Sequence, residues 1–170
     1  MNRLLNLFIL LAIVFSAACK KDQNPRLPDG LEKSPIPLVQ IVKGSDASIG
    51  DVNTFKGNFN VGLLFPNDIK PKKMDVVVAL NANYDVVKVL QADVTTYPTS
   101  ITVTAQQLAA LFGKNAADLV SGDFFEIGAD VTLNSGLVVT MFSKANVANP
   151  YGPDAPNYPG SSLQITYTKK

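Results

Sequence analysis

The chain has 170 residues, 46% of them hydrophobic and 17% charged, a balance that belongs to one globular domain and not to a disordered or low-complexity segment. It contains no His, so the commonest general base and metal ligand is missing, and its one Cys excludes an internal disulfide or a thiolate metal site. Formal charge is +1; Arg3 is the only charge before Cys19, so setting it aside from the 15 basic residues leaves 14 against 14 acidic ones. Such neutrality gives no long-range pull toward nucleic acid, whose binders usually present a basic face.

Met1-Asn2-Arg3 forms a short positive start, and Leu4 to Phe15 is apolar except for Asn6. That run is shorter than the ~20 residues a spanning helix needs. Ser16-Ala17-Ala18 then places small residues directly before Cys19, which completes the plan of a secretory signal peptide over residues 1–18. The small-small-Cys ending resembles the bacterial lipobox, with Ser16 where Leu is usual, and implies that Cys19 carries lipid. Each buried CH₂ of an acyl chain adds ~0.8 kcal/mol of membrane affinity, so two or more chains make attachment effectively permanent. Residues 19–36 follow as the lipidated Cys and a tether, rich in polar residues and broken by Pro25, Pro28, Gly30 and Pro35.

From Pro37 to Lys170 the apolar pattern turns to period two, the signature of half-buried strands. Phe55, Phe59, Val61, Leu63 and Phe65 alternate with polar residues. Met74, Val76, Val78 and Leu80 follow, opposite Asp75 and Val77. A turn at Asn81-Ala82-Asn83 leads to Val86–Ala92, and after a break around Pro98 come Ile101 and Val103. Thr104-Ala105-Gln106-Gln107 reads as a capping box. Leu108, Leu111 and Phe112 then share a helical face that stops at Gly113, and residues 115–120 can add another turn. Phe125, Ile127, Ala129, Val131 and Leu133 line one face of the next strand. A turn at Asn134-Ser135-Gly136 returns through Leu137, Val139 and Met141. A proline-rich stretch, 146–162, precedes the last strand, with Leu163, Ile165 and Tyr167 inward. About eight strands at this spacing predict an all-β, immunoglobulin-like antiparallel β-sandwich with one short inserted helix.

Chemistry is sparse. Without His no Ser-His-Asp or Cys-His site exists, and no Ser-x-x-Lys follows the leader. Glu126 and Asp130 share a strand face, but four residues at ~3.3 Å each exceed the retaining-glycosidase spacing. They are expected as solvent-facing acids. Asp46, Asp51, Asp118 and Asp123 fall in loops that can gather oxygen ligands for calcium, though no EF-hand pattern is present, so no metal and no cofactor are assigned. Tyr151 and Tyr158, with Asp154 and Asn157 between them, place rings beside an amide and a carboxylate, a set that can contact sugar or pack the loop onto the sandwich. Tyr84 and Tyr97 sit at turn edges, and Lys70, Lys72 and Lys73 read as a solvated turn.

Cys19-Lys20-Lys21-Asp22, the strand-to-helix stretch Ile101–Phe112 and Gly122–Asp130 together resemble the small Bacteroidetes outer-membrane lipoproteins of SusC/SusD-type glycan-uptake loci. The plan is most similar to the SusE-like N-terminal immunoglobulin-like domain, which in that family precedes glycan-binding domains and resembles a spacer. The resemblance implies a non-enzymatic lipoprotein held in the outer membrane through Cys19, on the cell surface or the periplasmic face. It would serve glycan capture beside SusC/SusD-like partners, without nucleic acid. A structural or adhesion module that binds another protein through its sandwich surface is the alternative.

Overall fold

Alternation in the Lys56–Leu63 segment puts Phe59, Val61 and Leu63 on one side of a strand and Asn58 and Asn60 on the other, and the fold follows from burying that first side. A computed structural model describes residues 32–144, 150–152 and 154–170. The leader, Cys19, the tether as far as residue 31 and part of the proline-rich stretch lie outside the described residues.

The elements in chain order are β1 (Pro37–Ile41), β2 (Lys56–Leu63), β3 (Lys73–Leu80), β4 (Lys88–Val94), β5 (Thr99–Thr104) and α1 (Ala105–Ala110). A 3₁₀ turn at Ala116–Asp118 leads to β6 (Phe124–Thr132), β7 (Val138–Val139), α2 (Asp154–Asn157) and β8 (Ile165–Thr168). One sheet has the order β1-β2-β5. The other runs β4-β3-β6-β7, with β8 also paired to β6, and every named pairing is antiparallel. First, second and fifth strands in one layer, with third and sixth in the other, follow the immunoglobulin plan, while the fourth pairs with the third instead of joining the first layer. The inner faces of the two sheets supply the main core, in which Phe59, Val61, Val76, Val78, Ile127, Ala129 and Val131 are fully buried.

α1 closes one end of that core. The Thr104 hydroxyl accepts from the Gln107 N–H, while the Gln107 side chain accepts from the Thr104 N–H, so the capping box forms as the spacing predicts. Leu108 and Ala109 are buried, Phe112 packs against the Phe125 ring, and Gly113 ends the helix at φ 68°.

Three strand expectations need correction. β2 ends at Leu63, so Phe65 lies outside the core and 40% exposed. The hairpin return lasts only Val138–Val139, with Leu137 and Val138 exposed and Met141 buried elsewhere. The described residues within 140–164 lie off the ladder and include a second short helix, α2; the chain then regains the same edge of β6 as β8, with Ile165 opposite Ile127. This excursion folds over the outer face of the five-stranded sheet. There Met141, Phe142 and Leu163 pack with Val77 and Ala79 into a second apolar cluster, joined by Ile36, Tyr84, Val87, Tyr151 and Ala155. β3 and β6 are therefore buried on both faces.

Candidate functional site

The carboxylates of β6 sit beneath the excursion and not in solvent. Glu126 is only 8% exposed; its carboxylate accepts from the Tyr84 hydroxyl at 3.1 Å and from Gln164 Nε2 at 3.2 Å. Tyr84 in turn stacks on Phe142, with ring centroids 5.3 Å apart. Asp130 Oδ1 accepts the Met141 N–H at 2.7 Å, and burial holds its carboxyl above the usual range. Asp75 stands directly opposite on β3 and adds to that rise. Asp75 itself is met by Lys73 at 3.0 Å, and the same ammonium reaches Asp93 at 2.8 Å. Lys73 is thus the first residue of β3 and a bridge between two acids, which separates it from exposed Lys70 and Lys72.

These bonds give Asp130 a role in fastening the excursion, and its raised pKa sets the sign of the effect. The folded state holds the proton more tightly than the unfolded chain. Stability therefore falls as pH rises from the ordinary Asp value, about 4, toward the raised one. Asp130→Asn keeps the acceptor and removes the buried charge, so its melting temperature at pH 7 is expected to equal or exceed that of the parent. Asp130→Ala strands the Met141 N–H and is expected to lose about 1–2 kcal/mol. Thermal melts of both variants from pH 4 to 7 check this; a parent-like pH slope in Asp130→Asn would count against it.

The four loop acids each serve their own turn. Asp46 accepts from the Lys56 N–H, Asp51 from Asn53, Asp118 from Asn115, and Asp123 from Val120 and the Asn81 side chain. Those donors hold the Asp123 carboxyl below its ordinary value. Among the described residues no group of three or more His, Cys, Asp or Glu is placed to hold a metal ion.

The proline-rich set divides. Tyr151 turns inward, its hydroxyl buried, and burial followed by the Asp130 charge pushes its phenol far above the usual range. Asp154 and Asn157 lie exposed on α2. Tyr158 is 50% exposed and meets the Phe65 ring edge-on at 5.3 Å. Tyr151 and Tyr158 therefore face different ways, and the partner of Tyr158 is a residue that alternation assigns to the core.

A separate groove of about 270 Å³ opens on the outer face of the three-stranded sheet. Leu38 and Gly62 form its floor, Pro66, Tyr97 and Pro98 its walls, and the amides of Gln40 and Asn60 its polar end. The Tyr97 hydroxyl donates to the Val94 carbonyl at 2.7 Å, which fixes the ring. Asn60 accepts from Ser100 and Asn58 from Thr102, both at 2.5 Å, so a ladder of neutral polar side chains continues the groove along the sheet. No charged side chain is among the described residues lining it. In sequence these residues are scattered over four segments, and only register brings them together.

Comparison with protein-family models, curated proteins and solved structures gives no match for this chain. Among the described residues no helix is long and apolar enough to cross a membrane.

Proposed function

We propose that this chain is a lipid-anchored, non-enzymatic lipoprotein of the outer membrane that captures a neutral glycan in the groove of the three-stranded sheet, as an accessory of glycan uptake. The observation that carries the reading is the uncharged groove itself, with a ring and two prolines on its walls and amides at its end. Sugars offer apolar C–H faces and neutral hydroxyls, and a largely apolar cleft with a few fixed polar groups suits that chemistry. The leader ending at Cys19 and the resemblance to SusE-like N-terminal domains support the membrane placement. The engagement of Glu126 and Asp130 by Tyr84, Gln164 and Met141 supports a binding role over catalysis.

An adhesion module would favour an exposed apolar sheet face. Here the outer face of the five-stranded sheet is covered by the excursion, and that of the three-stranded sheet is mainly Asn, Gln, Ser and Thr. Mass spectrometry of the purified chain tests the anchor, with acylated Cys19 as the expected N-terminus. Affinity electrophoresis and calorimetry against neutral polysaccharides test capture. A Cβ at Gly62 would meet Pro98 at 3.5 Å, an ordinary contact, so Gly62→Ala narrows the groove floor without a clash. Binding is expected to weaken in Gly62→Ala and persist in Tyr158→Ala. The reverse pattern moves the site to the Phe65–Tyr158 pair, and no binding by any polysaccharide leaves the adhesion reading.

A further inference from the structure

Antiparallel register defines two ends of the sandwich. Pro37 opposite Leu63, Thr99 opposite Val61, Val94 opposite Met74 and Lys73 opposite Thr132 all mark the same end. The 65–72 loop and the 133–137 turn lie there, tied by the Asn134 side chain donating to the Lys70 carbonyl at 3.4 Å. α1 and the β8 terminus lie at the other end.

The exposed large hydrophobic residues are unevenly divided between these ends. Phe65, Ile69, Leu137 and Val138 belong to the first, and Tyr158 joins them through its ring contact with Phe65. Single exposed apolar residues are ordinary on any surface, but a cluster on one end asks for a partner. Lys70 and Lys72 are exposed within the same loop, with Asp68 the acid beside them. Aromatic and aliphatic tips beside two lysines match the chemistry of a bilayer interface, where rings settle at headgroup depth and ammonium groups meet phosphate.

The path of the chain selects this partner over another protein. The Ile36 carbonyl accepts the Leu64 N–H at 3.0 Å, and β1 begins at Pro37, so the chain running from Cys19 enters the sandwich at this same end. We infer that Phe65, Ile69, Leu137 and Tyr158 rest in the lipid interface, with Lys70 and Lys72 on lipid phosphates. The domain is thereby docked end-on to the membrane that holds its anchor. This inference rests on the lipid-anchor reading. The tether keeps the domain at high local concentration over the bilayer, so a contact too weak to recruit a free protein suffices. In this pose the Pro66, Tyr97 and Pro98 walls of the groove lie nearest the docked end and its Gln40 and Asn60 end lies farther from it.

The chain contains no Trp, so a single Trp reports its own surroundings. Phe65→Trp, Leu137→Trp and, at the opposite end, Val120→Trp would each be made in the full lipoprotein. Each is then reconstituted in phosphatidylcholine–phosphatidylglycerol vesicles with brominated lipid. Phe65, Leu137 and Val120 are 40%, 57% and 64% exposed, so each position has room for the larger ring. The expected result is blue-shifted, strongly quenched emission at 65 and 137 and neither effect at 120, weakened by Lys70→Glu/Lys72→Glu. Chain that floats with vesicles while 65 and 137 stay as unquenched as 120 overturns the docking and leaves the anchor standing. Chain that fails to float overturns both.

Discussion

Gly57→Ala is expected to lower stability by about 3 kcal/mol, a fall of ~10 °C in melting temperature for a domain of this size. An added Cβ would lie 2.7 Å from Tyr167 Cζ, 2.8 Å from its hydroxyl and 2.9 Å from Phe55 Cζ. Neither ring can yield: Tyr167 is fully buried in β8 and meets Phe55 edge-on at 5.1 Å. The Tyr167 hydroxyl has no hydrogen-bond partner among the described residues, and burial, then the Asp46 charge, pushes it up to about 12. Tyr167→Phe alone is therefore expected to keep or raise the melting temperature, because it removes an unpaired buried hydroxyl. In the Gly57→Ala background it also removes the 2.8 Å contact, so the two changes together should cost less than their sum. The raised phenol adds a pH signature: stability should fall as pH climbs from 10 through about 12, and Tyr167→Phe should flatten that fall. Simple additivity in the double variant would mean that Gly57 is not the seat of this ring.

Alternation made the inner faces legible. Phe59, Val61, Ile101, Val103 and the Phe125–Leu133 row stand where a period of two puts them, because a slip of one residue would turn each to the wrong side. The capping box and Gly113 were legible because end chemistry is local. The outer face was not, although a signal exists. Val76-Val77-Val78-Ala79-Leu80 is a continuous apolar run, which marks a strand covered on both faces. What covers it includes Met141, Phe142, Tyr151, Ala155 and Leu163, and a proline-rich stretch with no period says nothing about where it lands. Glu126 and Asp130 look solvent-facing for the same reason: their row is polar, and only the docked excursion supplies Gln164 and the Met141 N–H.

The sites divide along the same line. The proposed lipidation of Cys19 rests on one contiguous sequence signal and asks nothing of the fold. Tyr151 and Tyr158 are close in sequence, and nothing local says that one turns inward while the other meets Phe65. The groove draws on β1, β2, the loop after β2 and the Tyr97-Pro98 corner, so it exists only once the register is set. Phe65 reads as core because it continues the alternation of β2, and the strand simply stops two residues earlier.

Gly128→Ala is expected to release the excursion while leaving the sandwich core folded. Gly128 lies on β6 between the outward residues Glu126 and Asp130, and a Cβ there would fall 2.4 Å from Met141 Cγ and 3.3 Å from its Cβ. Met141 is also where the Asp130 bond fastens the excursion, so displacing it loosens both the packing and the latch. Beyond it, Leu163 packs in the outer cluster, and Ser162 bonds β1 in both directions with Val39. Loss of these contacts should open residues 140–164 as a local unit, at a cost of about 1–3 kcal/mol. Limited proteolysis is expected to cut within that stretch faster than in the parent, with Asp130→Ala producing a milder version of the same pattern. Near-ultraviolet dichroism should lose the Tyr84–Phe142 stack while far-ultraviolet strand signal persists. Met141→Ala in the Gly128→Ala background removes the clashing Cγ and should slow cleavage again. Cleavage at the parent rate in Gly128→Ala would mean that Met141 does not hold the excursion down. In that case the cover over Glu126 must depend on other ties, among them the bonds of Tyr84 and Gln164 to its carboxylate.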